Sequence, residues 1–162
     1  MIKIGEHVPE ATFRVKDDEG NVKKLSTADL FGGKKVVLVG VPGAFTSTCH
    51  KAHVPTFVAH ASAIKSKGVD RIIVISNNDH HVMKAWADTF GPGVEVDFIA
   101  DGSSEFGKAI GALHDGTHVG MGPERYDRFS MIVDKGVVKQ INAETDHGKV
   151  AVSGAETVLG QL

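Results

Sequence analysis

The chain of 162 residues has one cysteine, Cys49. A single thiol cannot close an internal disulfide, so the fold is expected to stand without cross-links. The thiol then belongs in a reducing compartment or in chemistry. There is no excess of charge of either sign: 18 basic residues face 20 acidic ones, for a formal net charge of −2. That balance argues against nucleic acid or an anionic membrane as an obligate partner. No apolar run is long enough to span a bilayer. The opening MIKIGEHVPE lacks the apolar core of a signal peptide, so a cytoplasmic location is expected. Repeats, low-complexity blocks and linkers are also missing, which predicts a single domain over residues 1–162. What is present is ordinary: 41% apolar and 23% charged residues. A chain this long buries roughly 70% of its unfolded surface and needs no metal to fold.

The patterning predicts alternating strands and helices. ATFRV (11–15) and NVKKL (21–25) flank the turn residues DDEG and read as a hairpin. KKVVLVGV (34–41), RIIVIS (71–76) and VDFIAD (96–101) read as buried strands. Residues 48–68 carry Val54, Phe57, Val58, Ala61 and Ile64 at helical spacing, with Pro55 expected to kink the helix. Further helices are predicted over 79–90, with an Asp79 cap, over 103–113 and over 148–162. Residues 114–127 read as a glycine-rich loop, and 128–134 with 136–142 as a second hairpin. Such alternation predicts an α/β fold with helices on both faces of a sheet, made mixed by the late hairpin.

Cys49 sits at one joint of this pattern, in PGAFTSTC (42–49), between the strand 34–41 and the helix that follows. Thr46, Ser47 and Thr48 are all N-cap types, which places the sulfur in the first helical turn. Helix starts favour anions, and reactive groups of open α/β sheets gather beyond the carboxyl ends of strands. A lone cysteine is also commonly a small buried hydrophobe. Likewise Pro42 suffices as a strand terminator and Thr46 as a helix cap. These plain roles are compatible with catalytic ones.

The segment VPGAFTSTCHKAHVPTF resembles the active-site region of peroxiredoxins, thiol peroxidases with a thioredoxin-like fold. It is most similar to the type II, or peroxiredoxin-5-like, subgroup in its P-G-A-F-T-x-T-C run and the H-V-P after it. NNDHHVMKAW and RYDRFSMIVDKGVV resemble further segments of that subgroup, so the likeness covers nearly the whole chain. The resemblance implies a thioredoxin-like fold with an N-terminal β-hairpin and a homodimer. By position, Cys49 becomes the peroxidatic nucleophile, with Pro42, Thr46 and Arg128 around it. Ser47 stands where the subgroup has proline, which removes no reactive group.

The chemistry accounts for the residue types. A thiolate attacks a peroxide oxygen, giving a sulfenic acid and water or an alcohol. Lowering any thiol's pKa from 8.5 to about 6 raises its thiolate fraction at pH 7 about 30-fold, but roughly tenfold is lost again in nucleophilicity. Ionisation alone therefore does not make a fast peroxidase. Donors aimed at the breaking O–O bond can supply the rest, on the order of 3 kcal/mol each. Arg128 and Thr46 are expected to hold and polarise the peroxide while Pro42 shields the sulfur. An arginine opening a strand is otherwise a surface residue, and Arg125 reads as a loop charge.

Val74 occupies the place of the second cysteine of plant-like members, and the C-terminal segment has none. An external thiol is then expected to reduce the sulfenic acid: glutathione with glutaredoxin, or thioredoxin. Substrates implied are hydrogen peroxide and alkyl hydroperoxides, with no cofactor and no metal. Cys49, His50 and His53 form C-H-x-x-H, but neighbours on a helix point about 100° apart, which does not suit zinc. His50, His53 and His60 read as partly exposed helix residues, His80, His81, His114, His118 and His147 as surface or loop residues, and Trp86 as core. A peroxide sensor using the same sulfenic acid is the alternative. A thiol–disulfide oxidoreductase would want C-x-x-C, where Thr46 stands. A cysteine hydrolase would want a base, and His50 should point away from the sulfur.

Overall fold

A computed structural model describes all residues 1–162. The N-terminal hairpin is β1 (Thr12–Lys16) and β2 (Val22–Ser26), in register from Thr12 opposite Ser26 to Lys16 opposite Val22. Asp17 closes its turn by accepting from the N–H groups of Glu19 and Asn21. Next come α1 (Thr27–Phe31), with a Ser26–Asp29 capping box, and β3 (Lys35–Gly40). After the loop 41–46, a helical run that is π-helical over Cys49–His53 leads into α2 (Val54–Ala59) and α3 (Ala61–Ser66). The chain continues through β4 (Arg71–Ser76), α4 (His80–Asp88), β5 (Asp97–Ala100) and α5 (Glu105–Ala109). The short strands β6 (Leu113–His114) and β7 (Arg125–Tyr126) precede β8 (Phe129–Asp134), β9 (Val137–Ala143) and α6 (Ala155–Gln161).

Seven strands form one mixed sheet, ordered β2-β1-β5-β4-β3-β8-β9, with β3, β4 and β5 parallel and the rest antiparallel. The parallel strands are buried on both sides, as their unbroken Val/Ile/Leu runs require. One face packs against α2, α3, α4 and α6 through Phe57, Ile64, Trp86 and Val158. The other packs against α1 and α5 through Leu30, Phe31 and Phe106. This is the thioredoxin-like layer arrangement. The β8–β9 turn places Lys135 (φ 51°) and Gly136 (φ 81°) in the left-handed region, the requirement of a type I′ hairpin turn. No helix is long and apolar enough to cross a membrane.

Four sequence-based boundaries fail, each for a physical reason. The helix expected over 103–113 spans only Glu105–Ala109: Gly111, in the left-handed region at φ 68°, turns the chain, and Leu113 joins β6. The helix expected over 48–68 is broken. Over Cys49–His53 it is a π turn in which the Val54 N–H bonds the Cys49 carbonyl, just ahead of Pro55, which has no N–H to give. It breaks again at His60, whose Nδ1 is bound to the Thr56 carbonyl. The helix expected over 148–162 starts only at Ala155, because the N–H groups of Ala151, Val152 and Ser153 are taken by the Glu144 carboxylate. The 114–127 loop contains the small β6–β7 ladder, in which Leu113 pairs with Tyr126 and His114 with Arg125.

The site is positioned by strand pairing. Gly40, last in β3, lies opposite Phe129, first in β8. The loop leaving β3 toward Cys49 therefore starts beside the residue entering β8, Arg128. Gly40 has to lack a side chain: a Cβ there would lie 2.1 Å from the Phe129 ring.

Candidate active site

Cys49 is wholly buried, and so, at 2% exposure, is Arg128. The guanidinium Nη2 donates to the Cys49 sulfur at 3.1 Å. Its Nε donates to the His147 carbonyl (2.8 Å), and its Nη1 bonds His53 Nδ1 (2.9 Å). These partners are a carbonyl, an imidazole and a sulfur. None of the chain's ion pairs includes Arg128. A buried cation needs a compensating anion, and the sulfur as thiolate is the only such group among its hydrogen-bonding partners. Cys49 also lies in the first turn of a helical run that begins at residue 47 and continues through α2, so the helix start and the guanidinium face the same sulfur.

Thr46 and Pro42 lie in the same loop, and neither hydrogen-bonds the sulfur. The Thr46 hydroxyl caps no helix, contrary to the sequence reading; it donates to the Gly43 carbonyl at 2.8 Å. Its proton is engaged, so it offers lone pairs as an acceptor. Pro42 is buried, and its carbonyl accepts from Arg125 Nη1 at 3.3 Å. Arg125 also donates to the Met121 carbonyl, so it braces the loop rather than being a free loop charge. Asn78 Oδ1 accepts from the Ala44 N–H (2.8 Å) and pins the loop from β4's side. Phe45, at φ 62°, is held in the left-handed region within this clamped turn.

Histidines expected at the surface form the wall behind Arg128. His53 is fully buried. One of its nitrogens, Nε2, faces the Ser153 carbonyl at 2.9 Å and must donate there. Nδ1 is then the acceptor for Arg128. Burial, aided by the Arg128 charge, lowers the His53 pKa to about 4, against the Ser153 bond and Glu144, so the ring is neutral. His147 accepts the backbone N–H of Arg128 on Nδ1 (3.3 Å) and stacks on His114, with ring centroids 3.9 Å apart and planes 8° apart. Both rings turn a nitrogen toward Asp127 Oδ1, at 3.0 Å from His114 and 3.6 Å from His147. Three possible ligand atoms gather here. However, a metal ion bonds in the plane of an imidazole, and two stacked, near-parallel planes do not share one. The His147 proton must also sit on Nε2, because Nδ1 accepts. The trio is a hydrogen-bonded brace. His50 does point away from the sulfur, accepting from Trp86 Nε1–H at 2.9 Å. With His53 also occupied on both nitrogens, C-H-x-x-H offers no free ligand set.

Glu144 supports this wall. Burial pushes its carboxyl up, but bonds from the Ser153 hydroxyl and from the N–H groups of residues 151–153 outweigh that and hold it below the usual range. Glu144→Gln places an amide NH₂ against those donors. It is expected to lower unfolding stability by about 2 kcal/mol in urea titrations; an unchanged midpoint contradicts this role. A cleft of about 840 Å³ between the hairpin and the 91–94 turn is lined by the pairs Arg71–Asp97 and Lys84–Asp18. None of Pro42, Thr46, Cys49, His53 and Arg128 lines it.

Comparison with known proteins adds four findings. The Redoxin family model matches residues 3–159. Peroxiredoxin-2C of Arabidopsis thaliana is 42% identical over 161 residues, covering 99% of this chain and 98% of that protein. Reduced Prx3 of Vibrio vulnificus, solved in complex with hydrogen peroxide, superposes with a TM-score of 0.91 at 42% identity, covering 99% of both chains. The Plasmodium falciparum antioxidant protein, a 1-Cys peroxiredoxin, superposes at 0.88 with 28% identity, covering 97% of this chain and 96% of that one.

Proposed function

This chain belongs to the Redoxin family as a peroxiredoxin, a thiol peroxidase that reduces peroxides, and we propose that it works through Cys49, Arg128, Thr46 and Pro42. The observation that carries this reading is the 3.1 Å contact between a buried guanidinium without a carboxylate partner and the chain's only thiol.

In the reaction the Cys49 thiolate attacks one oxygen of the peroxide. A sulfur–oxygen bond forms as the O–O bond breaks, leaving Cys–SOH and an alkoxide or hydroxide that takes a proton from solvent. Arg128, held on the wall, donates to the oxygen on which charge accumulates. Thr46, its proton engaged by Gly43, accepts from the peroxide O–H and so orients it. Pro42 contributes to the dry side of the site, where such dipoles act most strongly. Cys49 has no accessible surface, so peroxide enters only with a small displacement of surrounding side chains.

We assign the chain to the type II, peroxiredoxin-5-like subgroup as a one-cysteine variant acting on hydrogen peroxide and alkyl hydroperoxides. With Val74 buried in β4 where a second cysteine would stand, an external thiol attacks Cys–SOH, releases water and leaves a mixed disulfide that a second thiol resolves. Glutathione with glutaredoxin is the favoured reductant, and thioredoxin the other. Coupled NADPH assays run side by side are expected to show turnover with at least one of them. Consumption of a single peroxide per chain with no turnover in either assay contradicts the cycle and supports the sensor alternative. On the same reading the chain forms a homodimer, as its family likeness implies, and works in the cytoplasm.

A further inference from the structure

We propose that His53 is a charge-neutral clamp: it fixes Arg128 by a hydrogen bond while leaving the guanidinium's full positive charge to the Cys49 sulfur and the peroxide. The inference rests on the role of Arg128 given above.

A buried arginine is usually held by a carboxylate, which fixes its geometry and cancels its charge together. Here the two effects are separated. Glu144 is the carboxylate tied to this wall, and its oxygens are occupied by the Ala151, Val152 and Ser153 N–H groups and the Ser153 hydroxyl. Those bonds fix the Ser153 carbonyl, which takes the Nε2 proton of His53. That in turn commits Nδ1 to accept from Arg128 Nη1 at 2.9 Å. The imidazole has no exposed surface, and Phe57 meets it edge-on at 5.7 Å between centroids. The charged groups that act on the ring are Arg128 and Glu144. Burial and the adjacent cation both disfavour a proton on the ring, so the clamp stays neutral across the working range. His53 touches neither sulfur nor substrate in this arrangement; it is a positioning residue.

The test is a pair of isosteric variants. His53→Asn and His53→Asp both place an oxygen where Nδ1 now accepts, and they differ by one charge. Thiolate formation is followed by ultraviolet absorbance, and the rate with hydrogen peroxide is measured across pH. The Asp variant is expected to form its thiolate about one to two pH units above the Asn variant. It should also react more than about tenfold slower at pH 6. His53→Leu, with no acceptor, is expected to be slow, and His53→Asn to recover most of that loss. Should the Asp variant fail to fold, His53→Gln and His53→Glu give the same contrast. Asn and Asp variants that ionise and react alike overturn the clamp, as does a Leu variant at the native rate. Arg128→Ala in the same series separates the premises. If it reacts at the native rate, the site reading falls; if it is slow while Asn and Asp match, only the clamp falls.

Discussion

Cys49→Ser is expected to consume no hydrogen peroxide above background in a direct assay. An alcohol does not ionise near neutral pH, and the nucleophile in this chemistry is the anion. No second thiol can take over, because the chain has none. The variant should fold, since serine is close to cysteine in size and can accept from Arg128. It should nevertheless be less stable at neutral pH, by about 2 kcal/mol, since the buried guanidinium then has no anion among its hydrogen-bonding partners. The two readouts separate chemistry from electrostatics. Residual peroxide turnover contradicts Cys49 as nucleophile. Native stability with no turnover contradicts the view that the sulfur is the counter-ion of Arg128.

Arg128→Ala is expected to lower the second-order rate with hydrogen peroxide by about 10²–10³-fold. The magnitude follows from what one side chain does here. It supplies the single charge at the sulfur, at 3.1 Å, and the one buried cation near the breaking bond. Ionisation accounts for only a small part of the effect, because a more acidic thiolate is also a weaker nucleophile. Most of the loss should fall on O–O cleavage. Arg128→Lys is expected to recover little. A lysine keeps a charge but cannot hold the His147 carbonyl, His53 Nδ1 and the sulfur at once, as the planar fork does. Stopped-flow traces within threefold or so of the native rate for either variant would refute this assignment.

Much of this architecture was readable from local patterns. RIIVIS matches β4 residue for residue, and Asp79 caps α4 through the Val82 N–H as its side chain predicts. Both hairpins were legible because their turns require particular residues. What escaped was set by tertiary contact. Nothing in the local pattern of 148–162 shows that a glutamate at 144 takes the N–H groups a helix would need. His147 and His114 are far apart in sequence and meet only because β6 and the segment after β9 flank Arg128. His53 did leave a trace: four residues after Cys49, it lies on the sulfur's side of the helix. That spacing was read as an unsuitable metal pattern, while burial turned it into a clamp. Cys49 and Arg128 stand out in the sequence as candidates and the fold brings them within 3.1 Å, whereas the direction of the Thr46 hydroxyl, set by the Gly43 carbonyl, leaves no trace in the local pattern.

The central claim is that Arg128 acts on oxygen–oxygen cleavage and not merely on thiol ionisation. The direct measurement is the rate of Arg128→Ala with hydrogen peroxide at a pH high enough that its thiolate absorbance has reached its plateau. The account predicts a rate still about 100-fold below the native enzyme's own plateau. Recovery of the native rate once the thiol is fully ionised would contradict it.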